Sequence, residues 1–256
     1  MIVSVARAQR WFEDSCAGAG YTLDLLMQAF LRLGRVGRKR RELLDQLTLC
    51  VLGSLGVVFI IALFTGMIVS LQTGLVLRKY GQESTLGFIV SVGMCREMGP
   101  VFTSLTLAGL VGSTYAAEIG TMKVSEEVDA LEVMSIDPIY YLVMPRVIAL
   151  GVACVALTVY ADLIGTLGGA LVAKAQFNVD FGIFMKNARD AVILKDIYGG
   201  LGKSLVFGVT IAGVACSQGL RAGHGAAGVG QATLRAVVIS FIFLLVFDYL
   251  LTWMLY

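Results

Sequence analysis

Residues 96–138 read REMGPVFTSLTLAGLVGSTYAAEIGTMKVSEEVDALEVMSIDP: a charged pair inside an apolar segment, then a short acidic helix, then a return toward another apolar segment. That order predicts a membrane protein that docks a soluble partner. Ionisable residues within a span are costly and face a polar cavity, a partner charge or a substrate, so Arg96 and Glu97 are candidate functional residues. Pro100 lies four residues on. It removes a backbone donor and clashes with the preceding turn, which predicts a kink or break near residue 96. Further along, Ser125 is a candidate N-cap, Glu126 and Glu127 suit the positive end of a helix dipole, and Pro138 ends the run. Val128, Leu131 and Val133 or Met134 give this helix a narrow apolar face, which must rest on helix ends or in a partner's groove.

The whole chain agrees with a bilayer setting. Its 256 residues are 57% hydrophobic and 15% charged, with a mean hydropathy of +0.83. A soluble domain carries far more charge. The net charge of +2 gives no footing for nucleic acid binding. The five cysteines, Cys16, Cys50, Cys95, Cys154 and Cys216, are far apart and lie mostly in apolar runs, so they read as small buried hydrophobes. No basic start leads directly into an apolar core and a cleavage site, which makes a cleaved signal peptide unexpected.

Uncharged runs of spanning length lie at about 49–77, 142–161 (continuing to 173) and 236–256, with interrupted ones at about 86–117 and 197–217. The expected fold is therefore an all-α membrane protein with about five transmembrane helices, at about 20 residues per span. Asp248 in the last run is expected to face protein. Residues 1–48 form a separate region. There Tyr21, Leu25, Leu26, Phe30 and Leu33 recur near helical spacing, followed by Arg32, Arg35, Arg38, Lys39, Arg40 and Arg41, as in an amphipathic helix lying in the interface before a basic stop. The transmembrane region runs from 49 to 256, with the acidic helix at about 125–137. The positive-inside rule then puts the N-terminus in the cytoplasm, the 118–141 and 218–235 loops with it, and the C-terminus outside. Lys174, Lys186, Arg189 and Lys195 fit that orientation poorly. A short amphipathic helix with Phe181, Phe184, Met185, Ala188 and Val192 is expected to cover the outer interface there. Gly165-x-x-x-Gly169 and Ala108-x-x-x-Gly112 let helix backbones approach closely in lipid.

Two motifs are decoys. Gly202-Lys203-Ser204 imitates the end of a phosphate-binding loop, but the glycine required five residues earlier is Ile197, so the chain is expected to have no ATPase site. Residues 223–228 match G-x-G-x-x-G without a β-α-β context and read as a loop. Lys203 is a second candidate cavity cation, with snorkelling to the interface as its ordinary alternative. There is no nucleophile-and-base pattern and no metal-ligand cluster in the sequence, so the chain is not read as an enzyme.

At this point the chain resembles a known family, the MlaE-type permeases of bacterial ABC systems that move phospholipids and other lipids with MCE-domain proteins. The resemblance covers about residues 45–256. It rests on REMGP (96–100), AAEIGTMKVSEEVDALEVMSIDP (116–138), MPRVIA (144–149), GKSLVFG (202–208) and GVGQATLRAVV (228–238) with the trailing FDYLLT. It implies a homodimer in the bacterial inner membrane, a cytoplasmic ABC ATPase that binds ATP and magnesium and engages Glu126, Glu127, Val128, Asp129, Leu131, Glu132 and Met134, and a periplasmic MCE-domain partner. It also implies a lipid cavity between the two copies, lined by Arg96, Glu97 and Met98, faced by Lys203 and bordered by Val76, Leu77 and Tyr80. The family's usual AGRVG is AGLVG here, with Leu110 in place of the arginine. The rival reading is an ATP-independent secondary transporter or channel using Arg96, Glu97 and Asp162 as an ion path. It calls for an internal repeat with paired broken helices, which the sequence does not show.

Overall fold

A computed structural model describes residues 20–31 and 39–256. Cys16, Arg32, Leu33, Arg35 and Arg38 lie outside the described residues. The helices are α1 (20–31), α2 (Arg40–Arg78), α3 (Leu86–Gly93), α4 (Gly99–Leu107), α5 (Ser113–Val124), α6 (Glu127–Val133), α7 (Met144–Phe177), α8 (Phe181–Ala191), α9 (Leu194–Leu220) and α10 (Gly225–Leu255). There are no strands among the described residues. Four helical runs are long and apolar enough to cross a bilayer: Arg40–Arg78, Ile139–Phe177, Leu194–Leu220 and Gly225–Leu255.

The direction of α2 and α7 requires a fifth crossing. Gly66 of α2 sits against Gly165 of α7, and Gly74 against Phe177, so the two helices run parallel. The chain between them must therefore return across the membrane, and it does so through α3, α4 and α5. These three are joined without a break by two π-helical turns, Met94–Met98 and Ala108–Gly112. Of the kink or break expected near residue 96, the break is overturned. The missing proline donor is accommodated by one wide turn, and the chain stays helical through it.

Small residues explain the packing. The buried positions of α2 are Cys50, Ser54, Val58, Ala62, Gly66, Ser70 and Gly74, one every four residues, while Leu52, Ile60, Phe64 and Ile68 point outward. This is the pattern of a helix that packs by backbone approach and offers its bulk to lipid. A Cβ on Gly66 would overlap the Gly165 carbonyl, and Ser70 Oγ donates to the Gly169 carbonyl at 2.9 Å. The Gly165–Gly169 pair thus has the packing role expected of it. Ala108 is buried, and a Cβ on Gly112 would meet Ile211 of α9 at 3.0 Å. The main core gathers Leu107, Ile119, Leu150, Leu157, Phe207 and Ile211, and a second cluster joins Leu86, Val90 and Met94 to Phe184 of α8.

Helix α8 forms where the amphipathic segment was expected. Asp180 caps it by accepting from Gly182 N at 2.8 Å, and Phe184 and Ala188 are buried. Helix α1 buries Leu25 and Ala29, and Thr22 Oγ1 donates to Ser217 Oγ of α9 at 2.9 Å. Its Leu23, Met27, Phe30 and Leu31 stay exposed. Arg40 and Arg41 are the first turn of α2, so the helix extends beyond its apolar stretch and carries its own basic end.

Two local readings are corrected. Ser125 does not cap α6. It closes α5, its hydroxyl bonding back to Thr121 O at 2.9 Å, and Glu126 at φ 62° makes the corner into α6. The supposed 218–235 loop is only residues 221–224. Gly225 at φ 73° and the close contact of Gly228 with Gly223 O make the tight turn, and the remaining glycines begin α10. Gly202-Lys203-Ser204 lies within α9 and forms no phosphate loop.

Candidate functional site

The charged residues of the interrupted span meet α9 and α10. Ten residues into the run that begins at Leu86, about 15 Å along the helix, the π-turn Met94–Met98 presents Arg96 and Glu97 to different partners. Arg96 Nε donates to Asp196 Oδ1 at 2.7 Å, and its guanidinium lies 4.4 Å from the Tyr256 ring centre. The carboxylate side of this pair is only 1% exposed and the arginine side chain 37%. The cation therefore has an anchored inner edge and an open outer one.

Lys203 is fully covered, its side chain 0% exposed. Its Nζ donates to Glu97 Oε1 (2.8 Å), Asp248 Oδ1 (3.0 Å), Thr252 Oγ1 (2.6 Å) and Arg96 O (3.2 Å). The last contact is a direct result of the sequence. Arg96 O is the carbonyl that a regular helix would have bonded to residue 100, and residue 100 is proline, so the freed oxygen takes a lysine donor. Thr252 Oγ1 also lies 3.0 Å from Glu97 Oε1, closing the network. A buried ammonium is tolerated because two carboxylates and two further oxygens surround it. Asp248 faces protein as expected. Asp196 and Thr252 were not singled out in the sequence.

The remaining candidates divide. Met98 lines a narrow cleft between α2 and α4 with Ile61, Thr65, Phe102 and Thr106. Leu77 and Met98 pack beside the second core cluster, whereas Val76 and Tyr80 are exposed at the far end of α2. Asp162 of α7 sits against Gly99, where a Cβ would strike its carboxylate. Leu110 is 39% exposed in the second π-turn.

The acidic helix lies at the opposite end of the span. Val128 is buried and Leu131 half-buried, while Glu126, Glu127, Asp129 and Glu132 are exposed. Val133 and Met134, expected on the apolar face, are 86% and 61% exposed. A cavity of about 280 Å³ lies beside α6, lined by Tyr21, Lys123, Val128, Glu132, Pro138 and Leu220. Burial raises the Tyr21 hydroxyl above its ordinary value, and Arg221 offsets part of that, so it stays a neutral donor at physiological pH.

The Permease MlaE family profile matches residues 43–254, the five crossings and α6 together. The chain belongs to the MlaE permease family. It is similar to a probable ABC transporter permease protein of Synechocystis, 38% identical over 96% of this chain and 92% of that protein. A probable ABC transporter permease protein of Rickettsia typhi is 41% identical over 79% of this chain and 78% of its own length. The chloroplastic protein TRIGALACTOSYLDIACYLGLYCEROL 1 of Arabidopsis thaliana is 35% identical over 95% of this chain and 70% of its own length. The MlaE-family chain is accordingly a multi-pass membrane permease subunit.

Proposed function

We propose that this MlaE-family permease moves phospholipid as a homodimer in the bacterial inner membrane, driven by a separate cytoplasmic ABC ATPase and working with a periplasmic MCE-domain protein. The observation that carries the reading is the Arg96 site. The Arg96 guanidinium is held by the buried Asp196 carboxylate while its side chain stays 37% exposed, and the same π-turn sets Met98 in the wall of an apolar cleft. Guanidinium matches phosphate geometry, and the apolar side chains along the cleft suit acyl chains once the helices around it part.

Glu97, Lys203 and Asp248 brace the π-turn that presents Arg96. Met98 belongs to the cleft wall, with Val76, Leu77 and Tyr80 along the route at its outer end. Helix α6 is the element that engages the ATPase, which binds ATP and magnesium. Its exposed Glu126, Glu127, Asp129 and Glu132 suit a basic groove, and Val133 and Met134 supply apolar contacts to it. This puts α6 and the N-terminus in the cytoplasm and Tyr256 on the periplasmic side.

The test is charge reversal at Arg96 in the complete complex. Arg96→Glu should stop phospholipid transfer between vesicles while the ATPase still co-purifies. Transfer at the wild-type rate would end the assignment of Arg96 to the head group.

A further inference from the structure

A second charged contact lies near α6 and has no part in the lipid site. Arg146, in the first turn of α7, donates from Nη1 to Leu142 O at 3.0 Å and from Nη2 to Glu118 Oε2 of α5 at 2.9 Å. Its guanidinium also lies 5.5 Å from the ring centre of Tyr115, and the Tyr115 hydroxyl is 3.0 Å from Cys50 Sγ of α2. The Arg146 side chain is only 11% exposed and that of Glu118 45%, so the pair is anchored on the arginine side and open to solvent on the other.

The position of these residues gives the contact a mechanical meaning. Helix α6 has only 7 residues and is bounded by α5 on one side and the π-turn Ile139–Val143 on the other. Of its residues only Val128 is buried, so α6 cannot transmit a displacement by its own packing. One guanidinium ties both of its flanks together, through Glu118 on α5 and Leu142 on the π-turn. The fork geometry matters here, since its two Nη atoms reach Leu142 O and Glu118 Oε2 in one plane, which a lysine's single nitrogen does not reproduce. From Tyr115 the chain of contacts continues to α2, whose glycines are packed onto α7.

We propose that the Arg146–Glu118 pair is the strut that makes α5, α6 and α7 move as one body, so that work done on α6 reaches the α2–α7 seam and the cleft beside it. This rests on the reading of α6 as the ATPase-engaging element. Arg146 and Glu118 are positioning residues and touch no lipid.

The experiment uses the complete complex in vesicles, with wild type, Glu118→Gln, Arg146→Lys, Arg146→Met and the Glu118→Gln/Arg146→Met double variant. Glu118→Gln keeps the side chain's shape and leaves the fold intact. It should lower the phospholipid moved per ATP hydrolysed about tenfold, within the usual range of coupling between sites, with ATP hydrolysis retained. Arg146→Lys should fall between wild type and Arg146→Met. The double variant should be no worse than the poorer single, since both remove one contact. Equal loss of hydrolysis and transfer, additive losses, or an unchanged ratio would overturn the strut.

Hydrogen exchange supplies a readout independent of transport. Addition of ATP and vanadate should change protection of residues 113–124 and 139–147 together in wild type, and out of step in Glu118→Gln. In-step change in both proteins would overturn the proposal. If wild type moves no phospholipid, the functional reading fails, and the exchange experiment still decides the strut.

Discussion

Replacing Lys203 by methionine isolates what the ion cluster contributes. The lysine side chain is 0% exposed, whereas the Glu97 and Asp248 side chains are 34% and 22% exposed. Removing one partner of a buried pair costs about 3–5 kcal/mol because the remaining charge is left uncompensated. Here the two carboxylates retain some exposure, and Glu97 keeps the bond from the Thr252 hydroxyl, so water and that donor offset part of the uncompensated charge. The lower end, about 3 kcal/mol, is therefore expected. For a chain of this size that corresponds to a fall in melting temperature of about 6–12 °C. Thermal melts in nanodiscs at several pH values measure it. The triple variant Lys203→Met/Glu97→Gln/Asp248→Asn should recover most of the loss, since it leaves no orphaned charge. A Lys203→Met protein that melts with wild type, or a triple variant that melts lower than the single, would show that the lysine does not neutralise the two carboxylates.

Gly66→Ala should destabilise by about 1–3 kcal/mol, because its Cβ would enter the Gly165 carbonyl. Gly56→Ala, with open space around it, should be neutral or slightly stabilising, and the pair of melts compares the two directly. Glu127→Lys with Glu132→Lys should abolish co-purification of the ATPase while the permease still inserts, as judged by pull-down from membranes. Retained co-purification would remove α6 from the docking surface.

The crossings were legible because hydropathy alone reports them, and α8 because Phe181, Phe184 and Ala188 recur at helical spacing. Pro100 signalled the disturbance at residue 96 but not its form. Whether a helix breaks or widens depends on what satisfies the freed carbonyl, and that donor, Lys203, comes from another helix. Asp196 was hidden for the same reason, lying 100 residues from the arginine that it anchors. Ser125 was misread because a serine after a helix and a serine before one look alike in sequence. The left-handed Glu126 decides between them, and it is set by the turn. Arg146 and Glu118 were visible only inside the longer family motifs, since their pairing closes a loop that sequence spacing does not reveal.

In the proposed function, nucleotide hydrolysis on a partner drives phospholipid past Arg96 and the cleft lined by Met98. The direct measurement is transfer of labelled phospholipid by the purified complex in vesicles, followed with ATP, without ATP, and with ATP plus vanadate. Transfer should require ATP, stop with vanadate and be lost in Arg96→Glu. Transfer that proceeds equally without ATP, or a complex that conducts ions and moves no lipid, would contradict the proposed function.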